Sequence, residues 1–130
     1  IFDVIRKKFV VLQPEEWVRQ HCVQYLIHEK KYPIALINVE KAVKINGLRK
    51  RYDIVVFNTD GSLNIVVECK APKVNISQVT FDQIARYNRT LKATYMMLTN
   101  GLNHYFCTMN HDLESYQFLE ALPNYNTNSI

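Results

Sequence analysis

No apolar run in the 130 residues approaches the roughly 20 needed to cross a bilayer, and no signal-peptide pattern is present. A membrane partner is therefore not expected. Cysteine is sparse. Cys22, Cys69 and Cys107 are odd in number, far apart and without C-x-x-C spacing, which disfavours a disulfide framework and suits free, buried thiols in a reducing cytosol. Cys107 and His111 lie four apart, but a turn is expected between them and no second ligand pair accompanies them, so a zinc site is not expected. Repeats, low-complexity tracts and linkers are missing, which leaves one domain over residues 1–130. The chain has no G-x-x-x-x-G-K-[ST] loop, so it carries no P-loop motor. Neither sign of charge dominates: 16 Lys and Arg against 12 Asp and Glu give a net charge of +4 and a pI near 9.0. That balance permits a polyanionic partner without requiring one. Basic residues gather at Arg6, Lys7 and Lys8, and again at Lys41, Lys44, Arg49, Lys50 and Arg51.

What is present is globular composition, with 48% hydrophobic and 22% charged residues. Residues 1–12 look extended and suggest an edge strand. "PEEWVRQHCVQYLIHEK" reads as a helix, with Pro14 in its first turn, acids after it, and a stripe of Val18, Cys22, Tyr25 and Leu26. Glu15 falls on that inward stripe, and Glu16 points about 100° away. Strands are expected over about 34–45, 48–59 and 62–70, separated by the hairpin signals Asn46-Gly47 and Asp60-Gly61. A second helix follows over roughly 77–92, its stripe running through Ile84, Tyr87 and Leu91. "ATYMMLT" reads as a strand buried on both faces, "NHYFCTM" as another after the Asn100-Gly101 turn, and "SYQFLE" as a last strand or a short helix. This order predicts an α/β domain in which helices flank a mixed central sheet containing an antiparallel meander.

Within that meander the run "LNIVVECKAP" ends in Glu68, Cys69 and Lys70, although buried strands rarely carry charge. A two-residue loop at Asp60-Gly61 places Val55 opposite Val66, Asp53 opposite Glu68 and Arg51 opposite Lys70. Side chains alternate along a strand, so Asp53, Glu68 and Lys70 would share one face. Tyr52, Ile54, Val56, Leu63, Ile65, Val67 and Cys69 would form the other, apolar face. A two-residue loop at Asn46-Gly47 adds Glu40 on the far side of Asp53. Opposed like charges destabilise a sheet, so a cation between them is expected. Mg²⁺ takes oxygen ligands and keeps several waters, and Asp53, Glu68 and the backbone carbonyl of Cys69 could hold it. Lys70 could then polarise a bound water or offset the charge of a five-coordinate phosphorane.

Asp53 and Glu68-Cys69-Lys70 resemble the core motif of the PD-(D/E)xK nuclease superfamily. Gln83 and Tyr87 in "FDQIARYN" are similar to the Q-x-x-x-Y motif on the helix after the lysine strand. With "PEEWVRQ", "RYDIVVFN", "VVECKAP" and "LTNGLNHYFC", they resemble the N-terminal nuclease domain of type I restriction enzyme R subunits, over roughly residues 10–110. Tyr52 stands where the name-giving Pro would be. The resemblance implies a restriction-endonuclease-like fold and a cytoplasmic, Mg²⁺-dependent DNA endonuclease in which Mn²⁺ substitutes. Its catalytic residues would be Asp53, Glu68, Lys70 and Gln83, with a further metal-site acid from Glu15, Glu16 or Glu40. DNA would be met by Gln83, Tyr87, Arg51, Lys50, Lys73 and Arg86. The resemblance also admits other restriction-modification subunits, or a second copy of the chain, as partners.

Blander readings stand beside these. Asp53, Glu68 and Lys70 could form a structural salt-bridge cluster near Arg51, and the fold could survive as a nucleic-acid-binding or assembly module without cleavage. Glu15 and Glu16 are also ordinary first-turn acids. Trp17, His21, His28 and His104 read as packing or surface residues.

Overall fold

The computed structural model describes residues 1–45, 47–88, 91–110 and 115–126, and of Val43, Ile45, Leu48 and Tyr87 the backbone alone. Its centre is β5 (Leu63–Cys69), whose unbroken apolar run Ile65, Val66 and Val67 is buried on both faces. Such a run needs a layer on each side of the sheet. Helix α1 (Pro14–Gln24) supplies one, packing Val18, Cys22 and Val23 against Ile54, Val56, Ile65, Val67 and Cys69. Helix α2 (Gln78–Asn88) supplies the other, setting Phe81 and Ala85 against Tyr52, Val55, Val66, Met96 and Leu98.

The main sheet has six strands in sequence order: β3 (Ile37–Ile45), β4 (Leu48–Phe57), β5, β6 (Tyr95–Thr99), β7 (His104–Asn110) and β8 (Ser115–Leu119). All neighbours are antiparallel except β5 and β6, which run parallel because α2 makes the crossover between them. The sheet is therefore mixed, with its meander first, as expected. The segment 115–119 is a strand and not a helix. Cys22, Cys69 and Cys107 are free and buried, while His111 lies outside the described residues.

Four expectations need correction. Residues 1–12 do not form an edge strand of the main sheet. They make a hairpin of their own, β1 (Phe2–Asp3) with β2 (Lys8–Phe9), because Asp3 accepts hydrogen bonds from the Ile5 and Arg6 N–H groups and turns the chain. The buried stripe of α2 runs through Phe81, Ala85 and Asn88, while of the expected stripe Leu91, past the helix, is buried in the same cluster and Ile84 is half-buried against it. Phe81 packs instead in the cluster with Tyr52, Val55 and Val66. Asp60-Gly61 is not a two-residue turn, since Asn58 pairs with Ser62 at the loop base and Phe57 faces Leu63. A bulge at Asn64 then absorbs one residue, and Val56↔Ile65, Val55↔Val66 and Ile54↔Val67 recover the expected register.

The fourth correction is at Tyr52, which lies with the α2 layer and not on the face of Ile54. The β3–β4 register is constant from Ile45↔Leu48 to Ile37↔Val56, as a two-residue turn requires, but the ladder skips Glu40 and Asp53. Asn46 lies outside the described residues. Glu40 has φ 53°, the left-handed region that costs a non-glycine residue about 1–2 kcal/mol. The pleat is broken there, so Asp53 turns toward α1 while Tyr52 turns away. Asp53 therefore does not share one face with Glu68 as expected: it meets Arg19 on the α1 side, whereas Glu68 lies with Lys50 and Tyr52 on the α2 side.

Candidate active site

Asp53 sits where β4 passes α1 and the end of β5. Its Oδ2 accepts a hydrogen bond from the Cys69 backbone N–H at 2.8 Å, and its Oδ1 accepts one from Arg19 at 2.8 Å. The first bond ties the Asp strand to Glu68-Cys69-Lys70. At Cys69 it is thus the N–H, donated to Asp53, that touches the site. Lys70 follows β5 by one residue, is half-buried, and is anchored by its own N–H to the Thr99 carbonyl at 2.8 Å. No strand pair joins it to Arg51, because the described β4–β5 ladder ends at Ile54↔Val67.

Glu68 is buried, and Lys50 places its ammonium 3.0 Å from Oε1 while lying over the Tyr52 ring. Burial pushes the Glu68 carboxyl above the ordinary range, the Lys50 charge opposes this, and the nearby Asp53 charge adds to it. Lys50, expected among residues guiding DNA, is therefore committed to Glu68.

Around Asp53 the acids surround one guanidinium. Arg19 is buried in α1 and reaches Asp53 at 2.8 Å, Glu16 at 3.0 Å, Glu40 at 3.7 Å and Glu15 at 3.9 Å. Desolvation alone would make Arg19 easier to deprotonate, but these carboxylates reverse it and hold the cation firmly charged. The expected order of the two helix acids is reversed. Glu16 is buried and bonded to Arg6 at 2.5 Å, whereas the Glu15 side chain is 52% exposed. Glu16 turns inward because Arg6, delivered by the N-terminal hairpin, neutralises it. Glu15 nevertheless stands beside Asp53, and its carboxyl is raised first by partial burial and then by the Asp53 charge. Glu40 reaches Arg19, the partner of Asp53, at 3.7 Å and Arg6 at 3.2 Å, although the β3–β4 ladder skips the expected Glu40–Asp53 pair.

Gln83 is exposed on α2, and no hydrogen bond among the described residues joins it to Asp53, Glu68 or Lys70. The side chain of Tyr87 lies outside the described residues. Arg51, Lys73 and Arg86 are exposed. Among the described residues, no three or more His, Cys, Asp or Glu side chains close into a metal-binding group on their own. Arg6 and Arg19 escaped the sequence reading. The spacing of Arg19 from Glu15 and Glu16 signals helical ion pairs, but its reach to Asp53 is a tertiary contact.

The family model for the N terminus of type I restriction enzyme R proteins (HSDR_N) matches residues 14–123. The chain belongs to that family. Its match spans α1 through the end of β8, and so contains every residue described above except Arg6 of the N-terminal hairpin. Two solved structures share the fold. One is a fragment of a protein assigned as an HsdR subunit of a type I restriction enzyme from Vibrio vulnificus, at 19% identity and TM-score 0.52, covering 82% of this chain and 23% of that one. The other is a protein assigned as a DUF820 nuclease from Anabaena variabilis, at 12% identity and TM-score 0.54, covering 88% of this chain and 72% of that one. The HSDR_N-family chain thus spans about a quarter of the first of these. No protein of curated function matches it. No helix among the described residues is long and apolar enough to cross a membrane.

Proposed function

We propose that this HSDR_N-family domain is a DNA endonuclease that hydrolyses phosphodiester bonds with Mg²⁺, for which Mn²⁺ substitutes. The observation that carries the reading is the 2.8 Å bond from the Cys69 N–H to Asp53, which joins the Asp strand to Glu68 and Lys70 at one point. Carboxylates are the donors a hard divalent ion takes, and Asp53, Glu68 and Glu15 bring such groups close enough for the Asp53 charge to act on both of the others. The residues therefore fit such an ion. Asp53 and Glu68 would hold it, with the Cys69 carbonyl, and Glu15 is better placed to join them than Glu16, which Arg6 and Arg19 occupy, or the more exposed Glu40. When bound, the ion supplies Lewis acidity and a more acidic water.

Lys70, fixed at the mouth of the site by Thr99, would orient the attacking water or offset charge on the phosphorane. Arg19 fixes the carboxylate of Asp53 toward α1. Gln83 and Tyr87 on α2, together with Arg51, Lys73 and Arg86, would meet the DNA backbone, while Lys50 stays on Glu68. DNA, other restriction-modification subunits, a second copy of the chain and a cytoplasmic location complete the reading. Supercoiled plasmid with Mg²⁺ or Mn²⁺ should be nicked, and Asp53→Asn and Lys70→Ala should each lower the rate by about a hundredfold or more. Unchanged nicking in both variants would overturn the assignment.

A second reading has its own support. Arg19 and Lys50 already neutralise the two carboxylates, as they would in a nucleic-acid-binding or assembly module that does not cleave. Calorimetric titration with Mn²⁺ in the presence of DNA separates the two, since a folded protein that takes up no metal favours the module.

A further inference from the structure

Beside the carboxylate site, on the α1 side, lies a cavity of about 260 Å³ lined by the rings of Trp17, His21, Tyr25, His104 and Phe106 together with Thr99 and neighbouring aliphatic and sulfur side chains. Its position follows from the sheet. Thr99 is the strand partner of Cys69 and accepts the Lys70 N–H, so the cavity is one strand spacing, about 5 Å, from the Lys70 backbone. Its opposite wall comes from α1, where Trp17 and His21 flank the turn that sends Arg19 to Asp53.

The walls are built and held. The Thr99 hydroxyl contacts His104 Nδ1 at 2.6 Å and accepts the Gly101 N–H at 2.9 Å. Trp17 and His21 lie 4.4 Å apart between ring centroids, and His104 lies nearly parallel to Phe106. Gly101 has φ 87°, and a Cβ there would stand 2.9 Å from Trp17 Cζ3. A side chain at that position would push into the indole, so glycine is what lets the indole close the wall. Trp17 remains 38% exposed, and its ring is reachable from solvent.

We propose that this cavity receives a single nucleobase, unstacked from a DNA strand whose backbone lies across Asp53, Glu68 and Lys70. The inference rests on the nuclease-site reading for its location. A flat, uncharged heteroaromatic ring suits walls of indole, imidazole and phenyl, because base–aromatic stacking depends on the π face and tolerates any base. The imidazoles of His21 and His104 add hydrogen-bonding edges at the rim. The volume of about 260 Å³ admits a base with part of its sugar. Bases reach such a pocket from single strands, or from duplex at the cost of unstacking.

The one tryptophan of the chain, Trp17, makes the test direct. Its fluorescence is followed in EDTA while a single-stranded oligothymidylate of eight nucleotides is added, and again with an abasic strand of equal length. Saturable quenching by the first and little by the second is expected. His21→Ala and His104→Ala, both changes at exposed side chains, should weaken the half-quenching concentration by about tenfold. Equal quenching by the abasic strand, no quenching by either, or wild-type response in both variants would overturn the pocket. Plasmid nicking with Mg²⁺ on the same preparation keeps the two readings apart. Nicking without quenching removes the pocket alone, and quenching without nicking removes the nuclease reading alone.

Discussion

At the scale of single residues, the site is a contest between one buried cation and the acids around it. Arg19 sits among Asp53, Glu16, Glu40 and Glu15, so removing its charge leaves buried carboxylates uncompensated. Arg19→Met should cost about 3–5 kcal/mol in urea unfolding, while Glu15→Gln, at an exposed end of the cluster, should change stability by about 0.5 kcal/mol or less. Glu68 behaves in the opposite sense. Its carboxyl is raised by burial, so it favours folding while protonated and loses that contribution as pH rises through its folded value. At pH 8 Glu68→Gln should therefore match or exceed the parent in urea midpoint while losing plasmid nicking. Glu40 carries backbone strain at φ 53°, and its side chain is 40% exposed. Glu40→Gly should accordingly be more stable than Glu40→Ala by about 1 kcal/mol, the reverse of the usual order.

Among elements, the N-terminal hairpin acts as a clamp on α1. Asp3, 1% exposed, accepts bonds from the Ile5 and Arg6 N–H groups, the Arg6 guanidinium and the Gln20 amide. Burial alone would raise the Asp3 carboxyl, but these donors take it below its ordinary value, and Arg6 does the same for Glu16. Both acids are depressed in the folded state, so their stabilising contribution is complete above the unfolded carboxylate range and is lost as pH falls below about 4. Circular dichroism from pH 7 to 2 should show an acid transition, and Asp3→Asn should lack part of it. The same variant should lose about 2–4 kcal/mol at neutral pH. Helix α2 is held more simply. Phe81, buried against Tyr105, Tyr116 and Phe118, should cost about 3–5 kcal/mol on truncation to Ala, read by urea unfolding.

At the scale of the whole molecule, the net charge of +4 is spread, with Arg51, Lys73 and Arg86 exposed and Lys50 and Arg19 internally paired. DNA affinity should fall linearly on a log–log plot against salt, by electrophoretic shift in EDTA, with a slope of roughly 0.9 per phosphate neutralised. Only the exposed cations should contribute to that slope, so Arg51→Ala should reduce it and Arg19→Gln should not.

The sequence by itself determined the meander, the β5 core run, the crossover helix and the β4–β5 register at Ile54, Val55 and Val56, because alternation and turn residues act over a few neighbours. It did not determine the face of Asp53, which the break at Glu40 turns toward α1 and away from Glu68. The register survived even a misread turn: the Asn64 bulge restored the pairing, since a one-residue slip would turn Ile65 and Val67 out of the α1 core. Tertiary structure alone decided which charge faces which. Arg19 and Lys50 reach their carboxylates across 34 and 18 residues of chain, Glu16 is met from within its own helix by Arg19 and from a separate hairpin by Arg6, and the aromatic cavity forms where α1 crosses β6 and β7. Electrostatic partners and cavity walls are set by packing between elements, and no local period along the chain encodes them.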